Sequence, residues 1–132
     1  MRRIAFIALV LVLSSFAGGQ AWGGIPEGEF RVDFFECASD CESRDVTLIQ
    51  GGMDCAAGQQ FFIRVNLRQF GQTRAVGRAS GVCTGNLQNW VTNRVDNPAP
   101  LDCSSNTIVG GGKGTVGGNP VRINRSLISC PA

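Results

Sequence analysis

Six cysteines, at positions 37, 41, 55, 83, 103 and 130, and a complete lack of histidine bound the chemistry open to this chain. An even cysteine count behind an export-type N-terminus points to three disulfides, and fifteen pairings are open at this stage. A structural zinc site would need four thiolates here. It would also need short paired spacings, and only Cys37 and Cys41 are close in sequence, so no metal or cofactor is expected. Redox pairs carry a C-x2-C spacing at a helix start. Cys37-Ala38-Ser39-Asp40-Cys41 has neither the spacing nor a helical pattern around it.

The other chemical signals are weaker. Without histidine there is no Ser-His-Asp or Cys-His centre, and no catalytic residue is expected. Asp33, Glu36, Asp40, Glu42 and Asp45 crowd one segment, and paired carboxylates serve glycoside hydrolysis. A domain this small has no room for the aromatic-walled cleft such an enzyme needs. The segment lacks the Asp-x-Asp-x-Asp-Gly order of a calcium loop, which makes it a solvated acidic stretch. Gly110 to Thr115 (GGGKGT) departs from a phosphate loop because Gly114 follows Lys113. Asn124-Arg125-Ser126 is a glycosylation triplet only in a host with that machinery. The best binding candidates are Arg64, Arg68, Arg74 and Arg78, two on each arm of an expected hairpin and beside Phe62 and Phe70. In one register they form a basic stripe suited to an anionic ligand. The simpler reading is a solvated strand face that discourages edge aggregation.

The N-terminus carries an address rather than structure. Met1-Arg2-Arg3 precedes an uncharged apolar run from Ile4 to Leu13, and Gly19-Gln20-Ala21 fits a small-x-small cleavage pattern. A run of about ten residues is half of what a membrane span needs, so residues 1–21 are expected to be a secretory signal peptide. No later segment has the length and apolarity of a span. Residues 22–29 read as a flexible lead-in and residues 30–132 as one domain, placed outside the cell or in the periplasm. From Trp22 onward basic and acidic residues balance at ten each. The balance is lopsided: 22–54 hold eight acids and two bases, and 55–132 hold eight bases and two acids. Either the halves neutralise one another across the domain, or the basic half presents a face to an anionic partner.

Eighteen glycines and few strong helix formers point to strands and turns. Phe61, Ile63, Val65 and Leu67 share one parity while Arg64, Asn66 and Arg68 share the other, the mark of a half-buried strand. Phe30, Val32 and Phe34 repeat the pattern, and 45–50 and about 74–83 add two more strands, with a hairpin turn at Gly71-Gln72-Thr73. Leu87, Val91 and Val95 mark a fifth strand with Trp90 on its opposite parity. Residues 106–109 and Val121, Ile123 and Leu127 mark the last two, and Gly110–Gly118 reads as a mobile loop or bulged edge. Seven short strands without a helix predict an all-β, antiparallel sandwich stapled by disulfides, with a small barrel as the alternative. Cys55 opens the strongest strand and Cys83 closes the next, a placement compatible with a bridge.

Residues 55–95 carry Cys55-Ala56-Ala57-Gly58, then Val65-Asn66-Leu67-Arg68-Gln69, Gly77, Cys83-Thr84-Gly85 and Gln88-Asn89-Trp90. This pattern resembles small exported immunoglobulin-like β-sandwich proteins of bacteria, of the actinobacterial type, which have no assigned activity. The resemblance implies a bridge between Cys55 and Cys83. It leaves the pairing of Cys37, Cys41, Cys103 and Cys130 open. The chain departs from the group at Leu101-Asp102-Cys103 and in having Cys37 and Cys41. The resulting expectation is a non-catalytic exported domain that binds or supports, its partner an anionic surface or another exported protein. The alternative is a disulfide-rich effector or inhibitor acting through a loop at Cys37–Cys41 or Gly110–Gly118.

Overall fold

The computed structural model describes residues 29–131. The expected signal peptide and the lead-in up to residue 28 lie outside the described residues. The strands are β1 (Glu29–Cys37), β2 (Val46–Asp54), β3 (Gln60–Gln69), β4 (Gln72–Val82), β5 (Gln88–Val91), β6 (Arg94–Asp96), β7 (Ile108–Val116) and β8 (Asn119–Ile128). Among the described residues one 3-10 turn, Cys41–Ser43, interrupts them, and Asp40 caps it by accepting from the Glu42 N–H. All eight strands join one sheet in the order β5-β2-β1-β8-β7-β3-β4-β6. The sheet is mixed rather than purely antiparallel, because β1 and β8 run parallel at Phe30–Ile123 and Arg31–Asn124.

The expected fifth strand is divided. Its first half, β5, pairs with β2, and its second half, β6, pairs with β4 at the far end of the strand order. The switch falls between two adjacent residues. The N–H and hydroxyl of Thr92 both bond Ile49 of β2, whereas the N–H of Asn93 donates to Arg78 of β4. Asn97 extends the link to β2, its side-chain amide accepting from the Val46 N–H at 3.0 Å and donating to the Val46 carbonyl at 3.1 Å. The sheet is thereby curled around one core.

The β3 alternation is realised: Phe61, Ile63, Val65 and Leu67 are buried. Two other strands change parity partway. An extra residue in β1 between Val32 and Phe34 turns Phe35 inward (1% exposed) and Phe34 outward (41% exposed). A second irregularity, between Gly110 and Gly112 of β7, places an extra residue on β8. Ile128 then joins the core, and Leu127, expected inside, is 69% exposed. Each bulge reverses which face the next side chains meet. In β5 the buried residue is Trp90, while Val91 and the preceding Leu87 are outside. Its indole N–H donates to the Gly52 carbonyl at 3.1 Å, and its ring lies where a Cβ on Gly51 would be. Phe30 meets Phe61 edge-on at 5.7 Å, and full burial of each such ring contributes about 2–3 kcal/mol.

The glycine-rich run corrects another expectation. Residues 110–116 belong to β7, an interior strand between β3 and β8, and are neither a mobile loop nor an edge. A Cβ at Gly114 would stand 2.1 Å from the Phe62 carbonyl, and one at Gly110 would stand 2.8 Å from Val32. The glycines therefore mark close approach of neighbouring chain rather than looseness. The hairpin turn also lies one residue earlier than expected. Phe70 and Gly71 both have positive φ, as a two-residue turn with the strands' own twist requires.

Three disulfides hold the ends of the sheet. Cys55–Cys83 ties the end of β2 to the end of β4 and is the pair implied by the resemblance. Cys37–Cys41 closes a small loop after β1, and Cys103–Cys130 ties the approach to β7 to the end of β8. No cysteine among the described residues is free, which fits an oxidising compartment. Among those residues no helix is long and apolar enough to cross a membrane.

Candidate anion-binding trough

The register of the sheet builds a cationic feature from residues far apart in the chain. Arg94 of β6 stands opposite Arg78 of β4, Arg78 opposite Arg64 of β3, Arg64 opposite Lys113 of β7, and Lys113 opposite Arg122 of β8. Directly opposed residues share a face, so five adjacent strands each place one cation on a single row. All five side chains are exposed. Like charges directly opposite one another are destabilising, and no carboxylate intervenes. Among the described residues the only ion pair is Arg31–Asp33, at 2.7 Å and within the acidic half. The two oppositely charged halves of the sequence thus share one sheet without cancelling through ion pairs.

The middle of the row lies in an open trough of about 1010 Å³ over β3, β7 and β8. Its cations are Arg64 and Arg68 on the β3 bank, Lys113 on the floor, and Arg122 and Arg125 on the β8 bank. No acidic residue lines it. The β7 floor is low because Gly111 presents no side chain, and the nearest atom to a Cβ there would be the Cγ of Arg125, 3.7 Å away.

The four arginines singled out from sequence do not form the expected stripe. Arg64 and Arg78 are in register. Arg74 is the extra residue of a bulge, since Leu67 pairs with Ala75 and Arg68 with Thr73. Its guanidinium stacks over Phe70 at 5.8 Å and donates to the carbonyls of Gln69 and Pro100. Arg68 lines the trough while bracing the hairpin, donating to Thr73 Oγ1 at 2.7 Å and to the Gly71 carbonyl at 2.8 Å. Sequence alone does not reach Lys113, Arg122 and Arg125, because Lys113 lies in the run that reads as a loop or bulged edge and the last strand has no register until its neighbour is known. The signal present in sequence was Lys113 alternating with glycines.

Four of the five residues in the acidic segment, Asp33, Asp40, Glu42 and Asp45, are spent on local structure. Asp45 accepts from the Ser39 and Asp40 N–H groups, each at 2.9 Å, and from the Ser39 hydroxyl at 2.8 Å. Chiefly through the Asp40 N–H, its carboxyl is held below the ordinary value of 3.8. Asp33 faces Arg31, and Glu42 accepts from the Cys103 N–H at 2.8 Å. A second cleft, of about 590 Å³, collects Glu36, Asp40 and Glu42 around Cys37, Cys41, Cys103 and Cys130. The sulfurs of Cys41, Cys103 and Cys130 lie within 4.8 Å of one another. As disulfide sulfurs they are poor metal ligands, which must be thiolates.

No protein-family model, no curated protein and no solved structure matches this chain.

Proposed function

We propose that this chain is an exported, non-catalytic immunoglobulin-like domain that binds an anionic partner in the trough over β3, β7 and β8. The observation that carries the reading is five cations lining one concavity with no acid among them. A chain with balanced charge overall has no general attraction to anions, so such a cluster is a local device for binding one. Export is supported by the N-terminal signal pattern and three disulfides. The immunoglobulin-like assignment rests on the resemblance over residues 55–95 and on the bridge between Cys55 and Cys83.

The test is retention of the exported protein on a sulfonate cation exchanger and on a neutral matrix of the same pore size. Salt-sensitive retention is expected on the sulfonate alone, and Arg64→Glu/Lys113→Glu/Arg122→Glu should abolish it. Equal elution of the folded triple variant and the parent would refute the reading. The alternative, an effector or inhibitor, draws on the Cys37–Cys41 loop, which the disulfide and the Asp45 hydrogen bonds hold in one shape. Such preorganisation lowers the ordering cost of docking.

A further inference from the structure

We infer that the trough takes a linear acidic polysaccharide lying along β7, a deepening that rests on the anion-binding reading above. The two banks, β3 and β8, are separated only by β7, so they stand about 10 Å apart, room for a single extended polymer. The cations are stepped along that direction. Arg64, Lys113 and Arg122 stand at one level. Arg68 lies four residues further along β3, about 13 Å away, and Arg125 three residues further along β8. Arg125 lies over Gly111, level with Asn66, and Arg68 stands opposite Val109 one step further, so cations recur at three successive levels about 7 Å apart. Cations that recur at successive levels along one groove match the repeated anionic groups of an extended polymer. Arg64, Arg122 and Arg125 in the banks offer paired donors to carboxylate or sulfate.

Single-stranded nucleic acid fits less well, because sequence-tolerant strand binding adds aromatic faces on which bases stack. Phe70 is the only aromatic residue in the lining, and the Arg74 guanidinium sits over its ring. Phe62, exposed on β3, is not part of the lining. A flat bilayer would meet the banks but not the floor, leaving Lys113 without a partner. A second copy could offer the acidic cleft at Glu36, Asp40 and Glu42, and the experiment separates that case.

Four labelled probes decide the matter, at about 50 mM salt where phosphate and sulfate contacts are strong. They are a polygalacturonate fragment, a heparin fragment, an oligothymidylate and vesicles containing phosphatidylglycerol. At least one glycan should bind about tenfold more tightly than both other probes. Arg64→Gln and Arg122→Gln should each weaken that binding about fivefold or more. Arg94→Gln, on the same row but outside the trough, should change it less than about twofold. Oligothymidylate or vesicle binding as tight as the glycans would overturn the polysaccharide and leave the anion-binding reading standing. Equal sensitivity to Arg94→Gln would overturn the placement along β7. Self-association abolished by Lys113→Glu would assign the trough to a second copy. Binding of none of the four probes, without self-association, would overturn both proposals.

Discussion

Gln69 pairs with Asp102 as a neighbouring strand would. Its side-chain amide donates to the Asp102 carbonyl and accepts from the Asp102 N–H, both at 2.8 Å. The same amide nitrogen reaches Thr107 Oγ1 at 3.1 Å, and Gln69 is 1% exposed. One buried side chain thus anchors the segment that leads from β6 into β7. Replacing it by Met, similar in volume, strands both backbone groups of Asp102. Gln69→Met should cost about 2–4 kcal/mol in urea unfolding, with the denaturant slope unchanged. A loss below about 0.5 kcal/mol would show that the anchor is dispensable.

The three disulfides should rank by the length of chain they close. Cys55–Cys83 and Cys103–Cys130 span 28 and 27 residues, and Cys37–Cys41 spans four. In the chain-entropy model the long pairs contribute about 3–4 kcal/mol each and the short one about 2. Paired Cys→Ala variants, compared by denaturant midpoint, should follow that order.

The glycines of β7 should divide sharply. Gly114→Ala drives a Cβ into the β3 backbone at Phe62 and should cost about 1–3 kcal/mol or more. Gly111→Ala meets nothing closer than 3.7 Å and should stay within about 0.5 kcal/mol of the parent. Equal thermal stability of the two variants would refute the assignment of close approach.

The cationic row should lower stability at low salt. Lys113→Gln removes one member flanked by Arg64 and Arg122 and should stabilise by about 0.2–1 kcal/mol. The gain should shrink in about 1 M salt, where the screening length falls to about 3 Å. A gain independent of salt would be a propensity effect rather than relief of repulsion.

Acid should loosen two turns. Asp45 is held low by the Asp40 N–H and by Ser39. Asp102 is held low first by the Ser104 hydroxyl at 2.5 Å, then by its N–H and the nearby Arg74. A carboxyl lowered on folding stabilises fully above its unfolded value of 3.8 and loses that contribution as pH falls through the folded value. Stability measured from about pH 5 to pH 2 should therefore fall less steeply in Asp45→Asn than in the parent. Parallel curves would exclude Asp45 as a contributor.

What was legible in the sequence was what repeats locally. The alternation of β3 needs no partner to be seen, and Cys55 and Cys83 flank strands with clear limits. Parity after a bulge is not local. The residue that displaces Phe34 from the core is extra only relative to β2, and Leu127 is turned outward by the pairing of β8 with β7. Glycines in a turn and glycines beneath a neighbouring strand look alike until the neighbour is known. The trough was hidden for the same reason. Lys113 and Arg122 meet Arg64 through register, and the glycine-rich sequence of β7 reads as a loop.

The parallel contact of β1 with β8 has a mechanical consequence. Two parallel neighbours begin at the same end of the sheet, so Glu29 and Ile128 lie toward opposite ends of the pair. A pull between those two points runs along both strands and loads the bonds around Phe30 and Arg31 together, in shear, instead of peeling them one at a time. A pull applied beyond Cys130 instead would be shared with the covalent tie of Cys130 to Cys103. A domain held by its two ends in a moving fluid would resist extension through this strand pair first.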